Sequence, residues 1–270
     1  MTQWRLTVEC PRSEKDFIVA DVAEAGAQGV LEEDLPAGQC RLIAYFSEPS
    51  AAEAAAARWA AVLAPEPERN WLLVAQQQWR PLRVGRHFFL APEWSCEPTP
   101  PGCIRLLMRS GLAAGSGWHP ATQLALEALE DVLRPGDVVL DLGTGSGILA
   151  TAASRLGAGT VFACDIDPEA ARAAQQNFAR DGVAVSVFVG SVRSVRSGSL
   201  DLLVANLDAA ALHSLSREIP RVLASGGRAI LCGFSTEQAS AMCRLFSSKG
   251  LHTFPQSRRG DWACLVLAAR

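Results

Sequence analysis

Asp141 closes an apolar run, and Gly143-Thr144-Gly145-Ser146-Gly147 follows almost at once. Three glycines on alternate positions leave the backbone bare where a ligand comes close. An apolar run before them and an Ala/Leu-rich run after them read as strand, turn and helix, the layout of a nucleotide-type site. Two further polar residues stand at the ends of later apolar runs, Asp165 in "ACDID" and Asn206 in "DLLVAN".

Two kinds of ligand use such a turn. A dinucleotide seats its pyrophosphate on the helix N-terminus behind GxGxxG, which requires glycine at 148, where this chain has Ile148. S-adenosylmethionine has no phosphate to seat. Its loop packs beside the methionine and ribose portions, with Gly143, Thr144 and Gly145 nearest the ligand, and a carboxylate at the strand end, the place of Asp141, favours the ligand's ammonium. Asp165 could accept both ribose hydroxyls, and a nicotinamide enzyme would use an acid there too. Asp167-Pro168 reads as a helix cap and first turn. Asn206 can orient an acceptor or contact the cofactor. It is followed by Leu207-Asp208-Ala209, without the prolines and aromatic ring that clamp a planar nitrogen, so the acceptor expected is not planar.

From Asp137 onward strand and helix patterns alternate: "DVVLDLG", "TVFACDID", "AVSVFVG", "LDLLVANL" and "RAILCGF", with helices beginning near Gly147, Pro168 and Ala209. Alternation of this kind predicts a doubly wound parallel sheet with ligands at the carboxyl ends of its strands. After the helix "STEQASAMCRLFSSKG", the runs "LHTFPQS" and "WACLVLA" are joined by a few residues, which only antiparallel pairing allows. A reversed last strand belongs to class I methyltransferases and not to dehydrogenase cofactor domains. Ahead of this region, "GLAAGSGWHPATQLALEALEDVL" reads as a glycine-rich loop entering a helix, with His119 near the cap, more a loop-ordering residue than a base, and Pro120 in the first turn.

The first 80 residues read β-α-β-β-α-β: "WRLTVEC", a helix from Ser13, "GVLEED", "CRLIAYF", an alanine-rich helix with a capping box at Ser50 and Glu53, and "NWLLVAQQQW". That is the order of a small ferredoxin-like α+β domain. Residues 81–110 carry five prolines and two short strand candidates, "RHFFLA" and "CIRLLM", and read as a stiff connector between that domain and a second one at 111–270.

Composition narrows the function classes. The chain has 270 residues, 49% of them hydrophobic, and no apolar run approaches the ~18 to 20 residues of a membrane span. The N-terminus lacks the layout of a signal peptide, so the expected location is cytoplasmic. Eight cysteines without a CxxC pair and four histidines without ligand spacing predict buried thiols and no metal. Residues 1–80 hold seven Lys and Arg against twelve Asp and Glu, while the remainder carries a net charge of +2. An acidic front end favours a basic protein partner over nucleic acid. Nothing in the sequence calls for more than a monomer.

Together, "AAGSGWHPATQLALEAL", "VVLDLGTGSGILA", "CDIDPEA", "DLLVANLDAAALHSL", "GGRAILCGF" and "GDWACLVLAAR" resemble, in order, the bacterial methyltransferases of ribosomal protein L11, over roughly residues 70 to 270. The first segment is similar to that family's FGTGxHxTT loop. Ala114 stands where the family usually has phenylalanine, and Ala121 in place of the first of two threonines. The resemblance implies an S-adenosylmethionine-dependent protein N-methyltransferase acting on lysine or N-terminal amines of a basic ribosomal protein, with the first domain recognising it. It implies cofactor contacts at Thr122, Gly143 and Asp165, and Asn206 near the methyl group as the catalytic residue. A methyltransferase of another protein lysine or of a small amine, and a non-catalytic cofactor-binding protein, remain the alternatives.

Overall fold

The computed structural model describes residues 2–12, 14–67, 80–109 and 117–269. They fall into two compact units, divided between residues 74 and 75.

The first unit contains β1 (Thr2–Pro11), α1 (Lys15–Glu24), β2 (Gly29–Leu35), β3 (Gln39–Phe46), α2 (Pro49–Trp59) and β4 (Val62–Pro67). Its sheet runs β2-β3-β1-β4, with every neighbour antiparallel. Alternation decides the core: Leu6, Val8 and Cys10 of β1 and Cys40, Leu42, Ala44 and Phe46 of β3 share one buried cluster with Ile18 and Val22 of α1 and Ala52 and Ala55 of α2. The expected capping box at Ser50 and Glu53 does not form. The helix begins earlier, with Glu48 at the N-cap and Pro49 in the first turn, where proline's fixed φ is already helical. The helix ends at Trp59 through Ala60 in a left-handed conformation (φ 48°), and the chain turns at once into β4. Pro65 lies within β4, opposite Trp4, and is tolerated because β4 is an edge strand and proline lacks only an N–H. The strand expected at 70–79 lies outside the described residues.

In the second unit, the proline-rich stretch, read as a connector with two strand candidates, carries both of those strands and a third in one sheet: β5 (Leu82–Val84), β6 (Phe88–Pro92) and β7 (Ile104–Met108). The five prolines are spread along loops and strand ends, which leaves an apolar interior free to pack. Val84, Phe88, Leu90, Leu106 and Met108 are all buried in the main core beside Leu124, Ala125 and Leu129 of α3 (Pro120–Val132). Glu130 of α3 fixes the β5–β6 turn. Its buried carboxylate accepts the N–H groups of Arg86 and His87, each at 2.7 Å. A Cβ on Gly85 would come within 2.5 Å of that carboxylate.

The large sheet has the order β10-β9-β8-β11-β12-β15-β13, with β14 also paired to β15. Its strands are β8 (Val138–Leu142), β9 (Thr160–Asp165), β10 (Ser186–Val189), β11 (Leu200–Asn206), β12 (Leu223–Ser235), β13 (His252–Thr253), β14 (Ser257–Arg259) and β15 (Trp262–Ala268). From β10 to β12 the strands are parallel, and β15 runs antiparallel to β12. The helices α4 (Ile148–Arg155), α5 (Pro168–Asp181), α6 (Ala209–Ser214), α7 (Glu218–Val222) and α8 (Thr236–Ser247) connect them. Strands β8, β11 and β12 are buried on both faces, which accounts for their unbroken apolar runs.

Candidate active site

The sheet's strand order turns back on itself between β8 and β11. The chain builds outward through β9 and β10, then returns to lay β11 on the other side of β8. Connections leaving the two neighbours diverge there and open a crevice at their carboxyl ends. Every site residue expected from the sequence lies beside that crevice, in two clusters. A cavity of about 680 Å3 opens at the opposite end of the sheet, lined by Glu127, Arg134, Arg228 and Phe254, away from the chemistry-bearing side chains.

The first cluster is the loop after β8 and the end of β9. Gly143, Gly145 and Gly147 have φ of 74°, 52° and 87°, so each occupies a conformation that disfavours a side chain. Gly147 opens α4, and a Cβ there would stand 2.5 Å from the Phe178 ring. The N–H groups of Gly143 and Thr144 donate to the Cys164 carbonyl at 2.9 and 3.0 Å. The Gly145 N–H donates to Asp165 Oδ2 at 3.0 Å, and the Asp167 N–H to its Oδ1 at 3.1 Å. Asp165 thus holds the loop against β9. As expected, Asp167 caps α5, accepting from the Glu169 N–H at 2.8 Å with Pro168 in the first turn.

Asp141 is 1% exposed. Its Oδ2 accepts from Thr144 Oγ1 at 2.7 Å and from the Ala150 N–H at 3.1 Å, tying loop to helix. Its Oδ1 is buried and has no partner among the described residues. Burial pushes its pKa up from 3.8 to about 6, against the lowering effect of those two hydrogen bonds.

The second cluster joins β11 to α3. Asn206 Nδ2 donates to Thr122 Oγ1 at 3.1 Å, across 84 residues of chain. Thr122 is buried, whereas Asn206 is half-buried and no described residue donates to its Oδ1. His119 is the N-cap of α3, its Nδ1 accepting the Ala121 N–H at 3.2 Å, with Pro120 at the first helical position. Gln123, one turn in, donates to the Trp118 carbonyl at 2.8 Å and accepts from Arg259 at 3.0 Å. Ala121 is fully buried, and Ala114 lies outside the described residues.

Three residues at this end escaped the sequence reading. Ile166 follows Asp165 and is 79% exposed; the signal was an apolar residue between two aspartates. Asn177 of α5 donates to the Ser146 carbonyl at 2.9 Å, which nothing in an amphipathic helix pattern announces. Trp262 packs edge-on against His119, with ring centroids 4.4 Å apart. Among the described residues no group of His, Cys, Asp and Glu could hold a metal ion, and no helix is long and apolar enough to cross a membrane.

A sheet turning back at β8 and β11, a glycine loop at that point and a reversed β15 define a class I methyltransferase. The sequence profile of the ribosomal protein L11 methyltransferase family (PrmA) matches residues 31–270, and the chain belongs to that family. It is 41% identical over 199 residues to the ribosomal protein L11 methyltransferase of Geobacter sulfurreducens, covering 74% of this chain and 66% of that relative. Over 258 residues it is 37% identical to the enzyme of the same name from Pelotomaculum thermopropionicum, covering 95% and 78% of the two chains. The crystal structure of ribosomal protein L11 methylase from Lactobacillus delbrueckii subsp. bulgaricus superposes with a TM-score of 0.66 at 30% identity, covering 71% of this chain and all of that one.

The residues present fit S-adenosylmethionine, the cofactor of this class. Bare backbone lines the loop at three glycines, and a buried carboxylate oxygen without a partner among the described residues stands beneath it. Two carboxylates near the site suit a ligand that carries cations, and no phosphate-binding glycine or basic residue takes the place of Ile148.

Proposed function

We propose that this protein transfers methyl groups from S-adenosylmethionine to amines of ribosomal protein L11, on lysine side chains or the N-terminal α-amine. The observation that carries the reading is the Asn206–Thr122 pair. It fixes one amide at the crevice beside the glycine loop, with its carbonyl oxygen open to an incoming N–H.

When bound, the cofactor supplies a sulfonium methyl that passes to a nucleophilic nitrogen as the carbon–sulfur bond breaks, its electron pair going to sulfur. The loop at Gly143, Thr144 and Gly145 would hold its methionine and ribose portions. Asp141 would attract its ammonium, and Asp165 would offer its remaining lone pairs to the ribose hydroxyls. Exposed Ile166 supplies an apolar surface for the base.

Transfer of this kind depends mainly on position, so the protein's task is to hold nucleophile and methyl carbon in line. The amine must be neutral. For a lysine with a pKa of ~10.4, losing the proton at pH 7 costs about 4.6 kcal/mol, and for an α-amine near ~8 it costs far less. Enclosure in an apolar site beside a positive sulfur lowers that cost. Asn206 Oδ1 accepts from the neutral amine and aims its lone pair, while Nδ2 stays engaged by Thr122.

The first unit serves as the recognition domain. Its β1-α1-β2-β3-α2-β4 order and β2-β3-β1-β4 sheet support a ferredoxin-like assignment, and the acidity of residues 1–80 suits a basic ribosomal protein met in the cytoplasm. Incubation of the purified protein with labelled S-adenosylmethionine and unmethylated L11, followed by mass spectrometry, tests the reading. Mass gains in steps of one methyl on lysine or the N-terminal amine are expected. Cofactor binding without any gain would exclude L11 as the substrate.

A further inference from the structure

Two thiols of the first unit stand close enough to react with each other. Cys10 and Cys40 are directly opposite in the β1–β3 register, and their Sγ atoms are 3.3 Å apart. Directly opposite residues of an antiparallel pair have Cα atoms about 4.5 to 5.5 Å apart, inside the span of about 4.4 to 6.8 Å that a disulfide bridges. An S–S bond of about 2.05 Å is therefore reached by turning the side chains, with the strands left in register. Both thiols share the buried cluster with Ile18 of α1 and Ala52 of α2, at 4% and 1% exposure.

The pair sits at a lightly held corner of its sheet. Cys10 is the last residue but one of β1 and Cys40 the second of β3. β4 pairs with β1 only from Thr2 to Thr7, so among the described residues no strand flanks β1 on that side at Cys10. Strand ends open locally at far lower cost than strand middles, which admits a small reagent to sulfurs that are buried on average. Cys232 and Cys264 also face one another, in β12 and β15, but there β11 and β14 flank the pair within the large sheet. Burial, then the Cys40 thiol and the Glu14 carboxylate, push the Cys10 pKa up from 9.0 to about 11, so at neutral pH the resting form is two thiols.

We propose that Cys10 and Cys40 form a reversible disulfide when the protein meets hydrogen peroxide, and that this bond staples the two central strands of the first unit. The sulfur that loses its proton attacks the peroxide O–O bond, giving a sulfenic acid and one water. The second sulfur, as a thiolate, then attacks the sulfenic sulfur, and the hydroxyl leaves with a proton as a second water. Two thiols and one peroxide thus become one disulfide and two waters, the sulfurs giving up the two electrons that the peroxide takes. A dithiol reverses the step by exchange. The bond spans 30 residues of chain, including α1 and β2, and removes conformations from the unfolded state, which favours the folded unit. The stability of the first unit therefore follows the redox poise, whereas the crevice of the second unit does not, whatever it binds.

Treatment of the reduced full chain with an equimolar amount of hydrogen peroxide tests it. After denaturation and alkylation, two of the eight cysteines should escape the label, and proteolysis should yield a peptide pair linked through Cys10 and Cys40 that dithiothreitol separates. By hydrogen–deuterium exchange, the slowest amides of β1 and β3 should exchange on the order of 100-fold more slowly in the cross-linked protein, with S-adenosylhomocysteine affinity unchanged. Cys40→Ser, which nearly keeps the side chain's size, should show neither the link nor the slowing, and its exchange before treatment reports that the unit folds. Eight labelled cysteines, sulfinic acid at Cys10 without a link, a link through Cys232 and Cys264 instead, or a Cys10–Cys40 link that leaves exchange unchanged would each overturn the inference.

Discussion

The two flanks of the crevice are built by different means. On the β8–β9 flank the work is done by backbone: three positive-φ glycines, N–H groups donated to the Cys164 carbonyl and to Asp165, and a buried Asp141 that ties loop to helix. Nearly all of it comes from residues 141–167. On the β11–β15 flank the work is done by side chains brought from far apart, Thr122 to Asn206 and His119 to Trp262. A backbone cradle suits a ligand that never varies. Side chains on separate elements suit the partner whose position must be set to a fraction of an ångström, and whose identity differs among methyltransferases of one fold.

If the flanks have separate tasks, substitutions on them should fail differently. Asp165→Ala removes the proposed acceptor of two hydroxyls and the anchor of Gly145. S-adenosylhomocysteine should bind on the order of 100-fold more weakly by calorimetry, as expected for losing hydrogen bonds to a charged group. Affinity within twofold of wild type would remove Asp165 from the cofactor site.

Asp141→Asn has an effect of about tenfold and a sign that can be worked out. Burial raises the carboxyl from 3.8 to about 6 in the fold, so the folded state favours the protonated form. Its contribution to stability is fully present below 3.8 and lost as pH rises through about 6, a difference of about 3 kcal/mol. Asparagine removes that loss. The variant without cofactor should melt higher than wild type at pH 8, while binding S-adenosylhomocysteine about tenfold more weakly. Wild-type affinity should itself decline as pH falls below 6, because a protonated Asp141 no longer attracts an ammonium. Affinity flat across that range would leave Asp141 as a loop tie alone.

Thr122→Val is the mildest. It keeps the shape and deletes one hydrogen bond to Asn206, which should lower kcat about fivefold with cofactor affinity intact. An equal loss of cofactor affinity would move Thr122 to the other flank.

The same division explains what could be read from the sequence. The β8–β9 flank is contiguous, so Asp141, the glycines and Asp165 declare themselves by spacing, and the strand–helix alternation carries the parallel sheet with them. Ile148 in place of a glycine, together with the reversed last strand, set aside a dinucleotide. Thr122 and Trp262 face Asn206 and His119 only after the sheet has closed, and no local pattern encodes that. Asn206 was legible as a strand-end polar residue, whereas Thr122 entered only through the family resemblance, as a cofactor contact, and its bond to Asn206 is seen only in the structure. Strands β6 and β7 were legible as the two strand candidates of the proline-rich stretch, but β5 and the pairing of the three were not, because a proline count shows neither that the prolines fall in loops and at strand ends nor that Glu130 would reach back to the turn at Gly85. In the first unit, a proline at the helix start outweighed the serine that imitates a cap.

The division between holding the cofactor and positioning the amine is tested most directly by Asn206→Ala, with S-adenosylhomocysteine affinity and methyl transfer to L11 measured on the same preparation. Affinity should stay within about threefold while kcat falls on the order of 100-fold, the cost of a misplaced nucleophile. Full turnover, or a collapse of both quantities together, would contradict the role given to Asn206.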